Sequence, residues 1–99
     1  MHIIAGKFIC KPECNTELFS LVEELLEPSR AEPGCISYNF YEDKTAANQF
    51  LFFEEWQSRE SRDKHFNTPY FQKFMEDVPR LIEGKALVKI YESVNIEEL

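Results

Sequence analysis

The spacing of apolar residues in this chain predicts an α+β fold, one antiparallel sheet with helices on a single face. Three observations lead to it. Four segments are rich in β-branched and aromatic residues, helical periodicity falls between the first and second and again between the third and fourth, and polar or Pro/Gly-bearing breaks stand at the joints.

Residues 2–10 (HIIAGKFIC) read as a first strand, closed by Pro12. From about residue 15 to 30, Leu18, Val22, Leu25 and Leu26, flanked by Phe19 and Leu21, recur at helical spacing while Glu23, Glu24 and Glu27 fill the opposite face. Pro28 removes a backbone donor and is expected to kink or loosen the last turn. Glu32-Pro33-Gly34 then forms a turn. In residues 35–42, Ile36, Tyr38 and Phe40 alternate with Ser37, Asn39 and Tyr41. A polar connection over residues 43–48 returns the chain as a hairpin partner over residues 49–56. This third strand is apolar on both faces, with Phe50, Phe52 and Trp56 on one and Leu51 and Phe53 on the other. Ser58 can cap a short helix ending near His65, and Thr68-Pro69 reads as an N-cap with Pro at the first helical position. Phe71, Phe74, Met75 and Val78 give the next helix its apolar stripe, and Pro79 kinks or ends it. Gly84 is expected to open the last strand, residues 85–94, before a short acidic tail of about residues 95–99.

The resulting order, β-α-β-β-α-β, is the ferredoxin-like split arrangement, with an antiparallel sheet covered by helices on one face only. The other face needs hiding. An isologous homodimer that packs two such sheets together into an eight-stranded, barrel-like core would do so, and the doubly apolar third strand is the sign of it.

Composition bounds the rest. Ninety-nine residues suit one domain, residues 1–99, and 43% apolar residues suffice for a packed core. With 11 basic and 18 acidic residues the net charge is -7, which repels a phosphate backbone or an anionic leaflet, so neither nucleic acid nor membrane is an expected partner. No secretory pattern opens the chain, and Cys10, Cys14 and Cys35 form neither a CxxC pair nor an even framework. Reduced thiols and a cytoplasmic location are the expectation. No ligand spacing suggests a metal, and there is no Walker loop, dinucleotide fingerprint or nucleophile elbow.

Three pieces stand in a telling order: Glu32-Pro33-Gly34-Cys35, then Glu54-Glu55-Trp56, then His65-Phe66-Asn67-Thr68-Pro69-Tyr70-Phe71. Together they resemble the antibiotic biosynthesis monooxygenase family, in which an E-P-G-C turn, an E-x-W strand end and an H-x-x-T-P-[HY]-F helix start occur in that sequence. The resemblance covers nearly the whole chain. It implies a dimeric α+β barrel and an activity among quinol and polyketide-anthrone monooxygenases that use dioxygen without flavin or metal, haem-degrading oxygenases, or a signal-molecule isomerase. In the haem-degrading branch an Asn on the first strand accompanies the strand Trp and the helix His. Gly6 holds that slot here, which argues against haem degradation.

A cofactor-free oxygenase must make its substrate electron-rich, because triplet dioxygen reacts sluggishly with closed-shell molecules. It needs a base near neutral pKa, donors for the anion and a dry pocket. His65 is the candidate base, since imidazole titrates near neutrality. Trp56 offers a flat wall and an N–H donor, and Glu54, on the face of Phe52 and Trp56, can relay a proton. Each has a plainer reading: a His bracing the helix junction, a core Trp, a Glu paired with a cation. Tyr38, Phe52, Phe71 and Phe74 read first as core, lying between sheet and helices, and second as candidate lining residues for a small aromatic or quinol-like molecule. The leading expectation is a cofactor-independent monooxygenase of a quinol-like or polycyclic phenolic substrate. The alternatives are an isomerase or other acid–base enzyme on a small signal or carbonyl metabolite, and a small-molecule-binding dimer without turnover. Oxygen uptake separates the first from the second; ligand binding without turnover, indifferent to His65→Ala, marks the third.

Overall fold

The computed structural model describes all 99 residues. Strand β1 (His2–Cys10) leads through a 3-10 turn into α1 (Asn15–Arg30); β2 (Cys35–Glu42) and β3 (Gln49–Trp56) form a hairpin; α2 (Arg59–Phe66) and α3 (Pro69–Asp77) precede β4 (Ile82–Glu92). The sheet order is β2-β3-β1-β4, and every neighbouring pair is antiparallel. This is the ferredoxin-like arrangement. No helix is long and apolar enough to cross a membrane.

Alternation along the strands decides which residues meet the helices. On β1, His2, Ile4, Gly6, Phe8 and Cys10 face α1 and α3, and on β3 so do Phe50, Phe52, Glu54 and Trp56. Leu18, Val22 and Leu25 of α1 close on that face. Helix α1 runs through Pro28 to Arg30, whose Nε donates to the Tyr38 carbonyl at 2.9 Å and pins the helix end to β2. The opposite face carries no helix. There Ile9, Leu87 and Tyr91 are exposed, beside half-buried Leu51 and Phe53.

Two expectations need correcting. Ile36 does not share the face of Tyr38: Cys35 pairs with Trp56 and Ser37 with Glu55, so Ile36 is the extra residue of a β-bulge and is exposed. The last strand begins at Ile82 and ends at Glu92, rather than running over residues 85–94. Gly84 lies inside it at φ +65°, a conformation open to glycine at little cost, and the β1–β4 register shifts around it between Lys7 and Ile9.

Gly34 is required for a different reason. A Cβ there would fall 2.1 Å from Ser61 Cβ, because the turn after α1 packs against the first turn of α2. That turn is held by a capping box between Ser58 and Ser61, so Ser61 has no freedom to withdraw. Gly34→Ala is therefore expected to cost about 1–3 kcal/mol, as overpacking does. Chemical denaturation checks this, and a cost below about 0.5 kcal/mol would show that the turn can open.

Candidate active site

Between the helix-covered face of the sheet and α3 lies an apolar cavity of about 390 Å³. Aromatic side chains dominate its wall: Phe8, Tyr38, Phe52, Phe66, Phe71 and Phe74. Gly6 and Ala86 leave space on the sheet side. One carboxylate reaches it. Glu54 sits on β3 between its cross-strand partners Ile4 and Tyr38, and is only 5% exposed.

A carboxylate in such company resists ionisation. Burial pushes Glu54 up to about 7; the Trp56 indole N–H, donating to Oε1 at 3.0 Å, pulls the other way, and the charge of Glu32 adds to the rise. Tyr38 is also held well above the ordinary phenol range by burial first and Glu54 second, so its hydroxyl stays protonated. The group at this cavity able to exchange a proton near neutral pH is Glu54.

Behind Glu54 lies His65, fully buried in the last turn of α2. Its ring packs 4.7 Å from Trp56, 4.9 Å from Phe71 and 5.1 Å from Tyr38, measured between centroids. Its Nε2 stands 3.9 Å from Glu54 Oε1 and has no hydrogen-bond partner, while Nδ1 lies 2.7 Å from Glu32 Oε2. The same Glu32 oxygen accepts from the Tyr70 hydroxyl at 2.6 Å. Burial lowers the pKa of His65, and the hydrogen bond and charge of Glu32 oppose that shift.

Short-range chemistry explains how the chain delivers these groups. The His65 carbonyl accepts from the Thr68 backbone at 3.1 Å and from Thr68 Oγ1 at 2.7 Å, and Thr68 Oγ1 in turn caps α3 through Phe71 N. The H-x-x-T-P run is thus an elbow between two helices that locks His65 inward. Pro33 and Gly34 turn the chain so that Glu32 meets His65 from the opposite side.

All four lining candidates, Tyr38, Phe52, Phe71 and Phe74, border the cavity, and so does Glu54. Trp56 and His65 do not: both are at 0% exposure, one step behind Glu54. Sequence reasoning passed over Glu32, treating it as a turn residue. The available signal was that Pro33 and Gly34 account for the turn and leave a glutamate at position 32 without a role. Ile4, Val78 and Val88 were also missed as lining residues.

Comparison with known proteins bears on this arrangement. The family model described as antibiotic biosynthesis monooxygenase matches residues 1–77. The chain belongs to that family. An uncharacterised protein of Synechocystis, sll1783, is 47% identical over 97 residues, which is 98% of this chain and 66% of the relative's length. The solved structure of Rv0793 from Mycobacterium tuberculosis superposes with a TM-score of 0.91 at 25% identity, covering 98% of both chains. A crystal structure described as an antibiotic biosynthesis monooxygenase gives a TM-score of 0.88 at 27% identity, covering 96% of this chain and 100% of the other. The E-P-G-C, E-x-W and H-x-x-T-P segments of this family member therefore have a joint spatial meaning: they bring Glu32, Glu54, Trp56 and His65 to one point.

Proposed function

We propose that this protein is a cofactor-independent monooxygenase acting on a small planar phenol or quinol, with Glu54 as the base that meets the substrate. The observation that carries this reading is a buried carboxylate at the wall of an otherwise apolar cavity of about 390 Å³, where burial pushes its pKa up to about 7. That volume is in the range of small-molecule sites, about 300–1,000 Å³. Aromatic walls favour a flat, apolar ligand, and a lone carboxylate favours one hydroxyl donor on it.

The chemistry follows from those two properties. Ionised Glu54 takes the substrate proton and leaves an electron-rich anion in a dry space, where solvation cannot quench it. The anion gives one electron to dioxygen, and the radical and superoxide recombine into a carbon–oxygen bond. Glu54, now protonated, returns its proton to the peroxide. Breakage of the O–O bond then releases water and leaves a carbonyl. In net terms a ring CH₂ of the keto tautomer plus O₂ becomes a ring C=O plus H₂O, with no external reductant. Trp56 holds Glu54 in place through its indole N–H.

Oxygen uptake with hydroquinone and anthrone as probes tests the reading. Saturable uptake above the autoxidation blank, lost in Glu54→Gln, is expected. Binding of the probes without uptake would reject it in favour of an acid–base enzyme or a binding protein.

The protein is further proposed to work as a homodimer through its helix-free sheet face. Ile9, Leu87 and Tyr91, exposed alongside Leu51 and Phe53, form an apolar surface of the sort that soluble monomers keep small. Phe53 lies on a central strand of that face, opposite Ala5 and Asn39. Phe53→Lys is expected to convert a dimer into a monomer at micromolar concentration, as read by sedimentation velocity. A wild-type protein already monomeric there would reject the assignment.

A further inference from the structure

We infer that Glu32 is a positioning residue that fixes the His65 ring in its Nδ1–H tautomer, so that the bare Nε2 faces Glu54 and takes the proton Glu54 removes from its ligand. The inference deepens the reading of Glu54 as base and rests on it.

The geometry allows few other arrangements. An ionised Glu32 has only acceptors to offer, and its Oε2 receives Tyr70 O–H at 2.6 Å and lies 2.7 Å from His65 Nδ1. Nδ1 must then carry a hydrogen. Nε2, buried and without a partner, keeps its lone pair and points toward Glu54 Oε1 across 3.9 Å. That gap is about one ångström longer than a hydrogen bond, so the transfer requires Glu54 Oε1 to move toward His65 from its place against the Trp56 indole N–H. In water a neutral histidine side chain prefers the Nε2–H tautomer; here the less common form is imposed from the outer side.

The proton path balances. The ligand O–H bond breaks and an O–H bond forms on Glu54; that proton then passes to Nε2, giving an imidazolium and restoring the Glu54 carboxylate. The imidazolium is stabilised by the Glu32 carboxylate on its other nitrogen and by the Trp56 ring packed 4.7 Å from it between centroids. The same proton returns along the path to the peroxide. The ionisable groups nearest the ring are Glu54 from β3, Tyr38 from β2, Glu32 from the turn after α1, and Tyr70 from α3. The Cys35 thiol at the start of β2 lies close to Glu32 and Glu54 and is itself pushed up to about 11, chiefly by burial, so it stays protonated and takes no part in the path.

Nitrogen-15 NMR of the ligand-free protein at pH 8 reads the tautomer directly. The expected result is a protonated Nδ1 and a bare Nε2 on His65 in the wild type. In Glu32→Gln the ring should shift toward the Nε2–H form and its imidazolium pKa should fall, because the charge that opposes desolvation is gone; Glu32→Asp should restore both in part. An Nε2–H ring in the wild type would overturn the inference, as would a tautomer unchanged in Glu32→Gln. If Glu32→Gln does not fold, Tyr70→Phe serves instead. It leaves the carboxylate but removes a competing donor, and should strengthen the Nδ1–H signal or leave it intact; loss of that signal would count against the inference. These readings need no substrate, so they stand or fall apart from oxygen uptake. A wild type with the expected tautomer but no uptake on any probe would sink the oxygenase reading alone.

Discussion

Glu54→Gln is expected to cut turnover by about 100- to 10,000-fold, the usual worth of a positioned base, and at the same time to yield a protein more stable than the wild type at pH 8. The second half follows from the direction in which burial moves the carboxyl. Glu54 is raised in the fold from 4.5 to about 7, so the folded state binds its proton more tightly than the unfolded chain does. Its stabilising contribution is complete below pH 4.5 and is lost as the pH climbs to about 7. Above that the folded protein carries a buried carboxylate at a disadvantage of up to about 3 kcal/mol, since a tenfold difference in proton affinity is worth about 1.4 kcal/mol. A glutamine does not titrate. Its carbonyl can still accept from Trp56 Nε1. Urea denaturation at pH 4 and pH 8 would show the two proteins alike in acid and diverging as the pH rises. His65, lowered by burial, works in the opposite sense: its stability contribution is present above pH 6.5 and declines as the pH falls through its folded value. Both proteins keep His65, whose own titration lies at the acid end of the range, so a difference that grows toward pH 8 is assigned to Glu54. Equal stability at pH 8 would mean that the carboxylate is better solvated than its 5% exposure suggests.

Trp56→Ala should be the most damaging single truncation in the chain. Trp56 is the largest of the fully buried side chains, and such a truncation costs about 3–5 kcal/mol. Here the loss is compounded, because the indole N–H is a hydrogen-bond donor to the buried Glu54. A domain with about 5–15 kcal/mol of total stability would lose a large share of it. Trp56→Phe separates the two effects. It keeps most of the volume but removes the donor, so Glu54 should titrate higher than about 7 and the pH at which uptake is half-maximal should rise with it. Thermal melting measures the first variant and a pH–rate profile the second. A pH profile unmoved in Trp56→Phe would detach the indole from the chemistry and leave Trp56 a packing residue.

The elements readable from the sequence were those whose signals are local. The bounds of α1, β2 and β3 emerge because apolar periodicity, Pro33-Gly34 and the polar run before Gln49 all act within a few residues. Period-two alternation also placed Glu54 beside Phe52 and Trp56 on the helix-covered face. Bulges defeat the same rule. An inserted residue reverses the alternation on one side of itself, which is why Ile36 points away from Tyr38, and a glycine at φ +65° inside a strand looks in sequence like a strand's start. The site was legible only in its parts. That His65 stands behind Glu54 depends on the angle of the α2–α3 elbow, and that Glu32 reaches His65 depends on a contact across 33 positions of chain. The cavity itself is space left between layers, and no residue pattern announces it.

The floor of that space has its own consequence. Gly6 lies on β1 between Phe52 and Val88, and a Cβ added there would meet them at 3.8 and 3.9 Å, ordinary contact distances. Position 6 can therefore accept the methyl group of an alanine at ordinary contact distances, and that methyl shortens the room in the cavity it borders. Most walls of the cavity are core residues whose replacement endangers folding; this one is not. Under the proposed reading, the length of ligand that the cavity admits can be altered at this single position while the architecture stays intact.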